Sequence, residues 1–284
     1  MSREVEFDDI VKSIKNLIIH TAYNLPKDTM DALKKAYEEE ESPVCKEVLK
    51  QILENAEIAR TEERPLCQDT GLAVFFVKVG EDFKVKGGTL KDAINKGTEQ
   101  GYKEGYLRAS TCDCFTRENL KDKIGYNLPA IIHFDIVEGD KLEIEYAAKG
   151  GGSENVSRAT VLAPAQGKPG ILKFVKEVIS NAGPNPCPPI IVGVGIGGTF
   201  EKAVISSKHA LFREAGTKNE DPELNEFEQE ILTELNKLGI GAMGMGGTKT
   251  VLAVHIEKQP CHIASLPVSV NVQCHSSRHS HIVI

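Results

Sequence analysis

NPCPPIIVGVGIGGT, residues 185–199, passes from a proline-stiffened approach into a β-branched run and then into glycines. Proline fixes φ and withholds a backbone donor, so 183–189 reads as a rigid lead-in and PIIVGVG as a buried strand. A helical pattern follows over 199–215. Working outward, LAVFFVKV (72–79), AIIHFDIV (130–137), KLEIEYAA (141–148), TVLAVHI (250–256) and SLPVSVNV (265–272) read as strands. The turn Glu138-Gly139-Asp140 joins two of them as a hairpin, which makes part of the sheet antiparallel. Helical periodicity recurs at 169–181 and 221–238. It also marks the first 60 residues, where Val11, Ile14, Leu17, Ile18, Val44, Val48, Leu49, Ile52 and Leu53 repeat at three-to-four spacing. The expectation is an α/β fold of mixed sheets with flanking helices and a helical N-terminal region over 1–62. No Pro/Ser-rich linker divides the chain, so 1–284 reads as one catalytic unit.

Composition narrows the function. The 284 residues are 40% hydrophobic and 26% charged, as in a globular protein with a sizeable core. A formal net charge of -7 and the lack of a clustered Lys/Arg face argue against a nucleic-acid partner. No signal-peptide pattern and no apolar run of about 20 residues occurs, so a cytoplasmic location with no membrane association is expected.

In a reducing compartment, seven cysteines at irregular spacing read as free thiols or metal ligands rather than disulfides. Three stand in unusual surroundings. Cys67 lies in RPLCQDTG (64–71), a loop before a strand. Cys187 lies in GPNPCPP (183–189), where prolines stiffen the backbone around one thiol. Cys274 opens CHSSRHSH (274–281), whose cations favour a thiolate. Zinc fits less well, because its close ligand pairs are missing and Cys112/Cys114 are spaced too tightly. Those two, with Cys45 and Cys261, read as non-ligands.

Glycine-rich stretches leave alternatives open. Gly193, Gly195 and Gly198 carry GxGxxG spacing, compatible with a dinucleotide turn or with an anion or cluster edge at a helix N-terminus. No acidic ribose ligand at the end of a strand follows about twenty residues on. GAMGMGGTKT (241–250) resembles a phosphate loop but lacks its GK[ST] ending, so a Walker site is rejected. KGGGSEN (149–155) reads as close backbone approach to a ligand, with a flexible hairpin exit as the alternative.

CQDTG, KGGGSEN, NPCPPIIVGVGIGG, GMGGTKT and PCHIAS…CHSSRH occur in this order. Over about 60–284 they resemble the α-subunit, or N-terminal, region of the iron-sulfur hydro-lyases: class I fumarate hydratases and L-tartrate dehydratases. The resemblance implies a [4Fe-4S] cluster on Cys67, Cys187 and Cys274 with one iron open to a small dicarboxylate. It further implies Gln68, Arg108 and the backbone at Gly151 around substrate, with Asp69 and His262 catalytic. His275, Arg278 and His279 read instead as ordinary structural residues. Around 112–128 the family's RxNTGDN-like pattern is followed only loosely, so Arg117 and Asn119 carry no assignment. The chain ends where single-chain relatives continue, which implies a separate β subunit that supplies the general base, in an α2β2 assembly.

The leading expectation is therefore reversible hydration of fumarate to L-malate, with L-tartrate dehydration to oxaloacetate as the alternative. A redox or regulatory iron-sulfur protein, or a nucleotide-dependent oxidoreductase, represents a different class.

Overall fold

The structure is a computed structural model and describes residues 3–284. In chain order these form β1 (Arg3–Glu6), α1 (Phe7–Tyr23), α2 (Lys27–Glu39), α3 (Pro43–Thr61), β2 (Leu72–Gly80), β3 (Phe83–Lys86) and α4 (Leu90–Glu104). Next come α5 (Lys121–Ile124), β4 (Ile131–Val137), β5 (Leu142–Lys149), α6 (Gly151–Asn155), β6 (Arg158–Leu162) and α7 (Gly167–Ala182). β7 (Ile190–Gly198), α8 (Phe200–His209), α9 (Pro222–Asn236), β8 (Val251–Cys261), β9 (Leu266–Gln273) and β10 (His279–Val283) complete the fold. The α/β class holds. Among the described residues no helix is long and apolar enough to cross a membrane.

Contacts group the chain into two compact units rather than one. The first is Met1–Pro26, Ala56–Gly150 and Arg278–Ile284; the second is Lys27–Asn55 and Gly151–Ser277. Each has its own sheet and its own apolar core, which is why contacts concentrate within them. The helical N-terminal region is no subdomain: α1 belongs to the first unit and α2 to the second.

In the first unit the sheet order is β10-β5-β2-β4. Ile10, Ile14 and Ile18 of α1 pack with Ile94 and Tyr102 of α4, Phe75 and Val77 of β2, and Ile144 and Tyr146 of β5. The hairpin expected between β4 and β5 does not form. β2 lies between them, parallel to β4 and antiparallel to β5. The link at 138–141 instead crosses the end of β2, where a Cβ on Gly80 would lie 2.4 Å from the Gly139 carbonyl oxygen. Gly80 N–H donates to Lys141 O and Glu81 N–H to Val137 O, both at 2.8–2.9 Å. A missing side chain at Gly80 thus permits a crossover in place of a hairpin, and the apolar β2 takes the sheltered central position.

The second unit has the order β6-β9-β7-β8, with β7 parallel to β8 and antiparallel to β9. Its core combines Val192 and Val194 of β7, Val254 and Ile256 of β8, Val268 and Val270 of β9, Val175 of α7 and Ile231 of α9. Helix α9 starts where the residues predict, with Asp221 accepting the N–H groups of Glu223 and Leu224 ahead of a first-turn Pro222. Gly193 and Gly195 lie inside β7, not in a turn after it. Added Cβ atoms would sit 2.1 Å from Ser207 O and 2.0 Å from Ala203 O of α8. The GxGxxG spacing therefore serves close strand–helix packing, which removes the dinucleotide turn.

The loop 241–250 does cradle an anion, but a resident one. The Glu40 carboxylate, 5% exposed, accepts the N–H groups of Glu41, Ser42, Thr248 and Lys249 at 2.9–3.0 Å. Burial by itself raises its pKa; the N–H groups of Ser42, Thr248 and Lys249 and the Cys45 thiol outweigh that and hold it at about 2. The Cys45 sulfur accepts Ala242 N–H at 3.1 Å, and burial, with Glu40 beside it, pushes the thiol up to about 11.

Candidate active site

In the first unit the CQDTG turn bridges α3 and β2. Buried Leu66 anchors its start through an N–H bond to Ala22 O at 3.0 Å. Cys67 is half-buried with a free thiol, which donates to Gln68 Oε1 at 3.3 Å, and Gln68 is exposed. Asp69 Oδ1 accepts Gly71 N–H at 3.0 Å, closing an Asx-type turn that holds the carboxylate in place. Thr70 is buried, and its hydroxyl accepts the Arg108 backbone N–H at 2.9 Å. That bond brings Arg108, whose side chain is exposed, beside a turn 38 residues away in sequence.

Gly71 has φ +74, and a Cβ there would lie 2.4 Å from Gly150 N. Only glycine lets the turn lie against Lys149 and Gly150. The Gly71 carbonyl accepts Asn127 Nδ2–H at 2.9 Å and Tyr102 O–H at 3.1 Å. Asn127 in turn accepts from Ser110 N–H and Thr111 O–H, so it ties the segment after Arg108 to the turn.

Two cations given no site role from the sequence lie in the same unit. Arg278 is 1% exposed and Lys149 is 4% exposed. The Ala148 N–H donates to Arg278 O at 3.0 Å, joining the end of β5 to the residue before β10. Burial raises the Tyr102 hydroxyl to about 12 and pushes Tyr146 above the ordinary tyrosine range, and the Arg278 charge opposes both shifts. Buried guanidinium and ammonium groups are costly unless anions or dipoles compensate them. Periodicity gives no warning of this, because a cation at a strand end reads as solvent-exposed.

In the second unit the structure joins Cys187 and Cys274. Cys187 has φ +55, a conformation uncommon outside glycine, and its N–H donates to Pro184 O at 2.9 Å. Cys274 follows the last residue of β9, which pairs with β7 at Gln273 and Ile191. Both cysteines are half-buried free thiols. Next to Cys274, His275 donates its backbone N–H (3.2 Å) and its Nδ1–H (3.0 Å) to Cys187 O, which places the ring proton on Nδ1. Gly151, exposed, opens α6. A Cβ on the neighbouring Gly152 would lie 2.8 Å from Asn185 O, so the glycine tract runs close to the Cys187 loop.

The sheet does not bring His262 to these cysteines. Gln273 pairs with Ile191 at one end of β7, while Gly198, at the other end, pairs with Cys261. Along this strand the separation is on the order of 25 Å. His262 sits in an exposed turn, where its Nδ1 accepts Ala264 N–H at 3.1 Å. Cys112, Cys114, Arg117 and Asn119 lie on the 110–120 segment of the first unit, which is turned by Asp113 Oδ1 accepting the N–H groups of Phe115 and Thr116.

Among the described residues no three His, Cys, Asp or Glu side chains form a ready-made metal site. In donor type the thiols suit an iron-sulfur cluster: Cys67 in the first unit, and Cys187 and Cys274 in the second, are half-buried, in no disulfide and outside the helices and strands, and His275 bonds the backbone carbonyl of Cys187.

The fumarate hydratase (Fumerase) family model matches residues 11–283. The putative L(+)-tartrate dehydratase subunit alpha of Methanocaldococcus jannaschii is 43% identical over 93% of this chain and 94% of its own length. The L(+)-tartrate dehydratase subunit alpha of Escherichia coli K12 is 32% identical over 100% of this chain and 93% of its own. The protein of the same name from Shigella sonnei matches to the same extent. With nearly its whole length matched, the chain belongs to the fumarate hydratase (Fumerase) family of hydro-lyases.

Proposed function

We propose that this chain is the α subunit of an L(+)-tartrate dehydratase. The tartrate names of relatives matching over almost the whole chain favour this reading over fumarate hydration, the leading expectation from sequence. The structural observation that carries it is the CQDTG turn, with Arg108 fastened to it through Thr70 and buried Lys149 and Arg278 in the same unit. Arg108, exposed beside the turn, supplies a cation of the kind that binds a carboxylate.

In this reading Cys67, Cys187 and Cys274 hold a [4Fe-4S] cluster, which supplies a Lewis acid that makes a substrate hydroxyl a tolerable leaving group. Arg108 binds a carboxylate in its two-pronged fashion, and Gln68 donates to the same substrate from beside Cys67. Asp69, fixed through Oδ1 by the turn, orients substrate or assists a base. The backbone at Gly151 lies against substrate. The general base comes from a β subunit, a partner that the α-subunit names of the relatives support, and the assembly in this reading is α2β2. Loss of a proton from one carbon and hydroxide from the next converts tartrate to the enol of oxaloacetate. His262 keeps its proposed catalytic role, although β7 carries it at the opposite end of the strand from Cys187 and Cys274.

The test is anaerobic co-expression with the β subunit, in a cytoplasmic host, followed by assays on L-, D- and meso-tartrate, fumarate and L-malate. Dehydration of L-tartrate above the other substrates is expected. Turnover of fumarate and malate alone overturns the substrate, and full activity of this chain by itself overturns the split site.

A further inference from the structure

Strand β4, IIHFDIV, is an edge strand whose exposure is unusual for its apolar sequence. Ile131 is 38% exposed, Phe134 48% and Ile136 77%. Glu81 donates to Val137 O, so the backbone groups of Val137, and by alternation those of Asp135, His133 and Ile131, point toward β2. The N–H and C=O groups of Ile132, Phe134 and Ile136 therefore point away from β2, on the side where β4 pairs with no other strand among the described residues. On the side-chain faces, Ile132 packs on the core of this unit, so Phe134 and Ile136 continue that apolar face outward. His133 stacks on Phe76 at 4.7 Å between ring centroids, on the opposite face with Asp135. A bare apolar edge with no proline or lysine in it is a template for another strand.

We propose that β4 pairs antiparallel with β4 of a second copy of this chain about a two-fold axis at Phe134, joining the two sheets into one. The sequence is self-complementary in that register alone. Phe134 meets Phe134 and Ile132 meets Ile136 as hydrogen-bonded pairs, which uses every outward backbone group. His133 of each copy falls opposite Asp135 of the other, at the non-hydrogen-bonded positions where side chains approach most closely. Centring the axis on His133 sets His against His, and centring it on Asp135 sets Asp against Asp. Shifting it to Ile132 or Ile136 shortens the ladder and separates each His133 from Asp135. A two-fold partner is required, because the same patch supplies both halves of the match. The inference deepens the α2β2 reading by naming the surface that joins the α chains, and it is independent of the substrate.

Sedimentation of the full chain, with and without the β subunit, tests it. Wild type should self-associate. Asp135→His and His133→Asp each replace two His–Asp pairs with like pairs and should raise the dimer dissociation constant about tenfold. The double exchange, H133D with D135H, restores the complement and should recover wild-type association to within about threefold. A wild-type chain that stays monomeric overturns the ladder, as do single variants that associate normally or a double variant no better than the singles. Single variants that keep α–α association but lose the β subunit also overturn it, by assigning the edge to that partner. An active enzyme containing only one α chain removes this interface and leaves the hydro-lyase reading intact.

Discussion

His275 donates its Nδ1–H to the carbonyl oxygen of Cys187 at 3.0 Å, tying two thiol-bearing loops 88 residues apart. The bond orients the residue after Cys274 against the backbone of Cys187, so it supports both thiols without using either sulfur. Removing such a supporting contact typically lowers metal affinity about 10–100-fold. His275→Ala should accelerate iron loss to a chelator roughly tenfold, whereas His275→Asn, which keeps a side-chain donor, should fall in between. Equal iron retention in all three proteins would show that the bond does not support the site.

Ligand identity is separable by substitution. Cys67→Ser, Cys187→Ser and Cys274→Ser should each prevent assembly of an intact four-iron cluster, while Cys45→Ser and Cys261→Ser keep it. Iron and sulfide analysis with anaerobic absorption spectra distinguishes them. A full cluster in any of the first three proteins removes that residue from the ligand set.

Thr70 is a positioning residue. Thr70→Val withdraws the acceptor of the Arg108 N–H while keeping the side-chain volume, and an unsatisfied buried donor costs about 1–3 kcal/mol. The expected result is roughly a tenfold rise in KM for the dicarboxylate with a smaller change in kcat, and recovery in Thr70→Ser. An unchanged KM would separate Arg108 from substrate binding.

Glu40 gives the second unit a pH-dependent strut. Its carboxyl is lowered from the ordinary 4.5 to about 2, so the folded state binds the proton more weakly than the unfolded state does. The stabilisation is present above about pH 4.5 and lost as pH falls toward 2; the shift corresponds to about 3 kcal/mol. Glu40→Gln should lower stability by about 2–3 kcal/mol at neutral pH and flatten the acid limb between pH 4.5 and 2. Urea titrations across that range check both effects, and parallel acid limbs in the two proteins would show that Glu40 is not the titrating group.

Much of the chemistry was legible because it is local. Proline around Cys187, the acidic and amide neighbours of Cys67, and the cations after Cys274 are properties of short stretches, as are the N-cap of α9 and the alternation of the strands. The failures share one cause. The 138–141 turn reads as a hairpin until Gly80 is seen to let it pass over β2, and GxGxxG leaves a dinucleotide turn open as an alternative until the glycines are found beneath α8. Local sequence does not reveal which distant backbone occupies the space a glycine leaves.

The sequence by itself determined the α/β class, the family motifs and the three unusual cysteines, since propensity, periodicity and motif order are written along the chain. Only the tertiary structure decided the rest: the division into two units, the insertion of β2 between β4 and β5, Glu40 as the anion of the glycine loop, the buried positions of Lys149 and Arg278, and the distance of His262 from Cys187. Each depends on contacts between residues far apart in sequence, where burial and the space available to a backbone are set by the partner and not by the residue's neighbours.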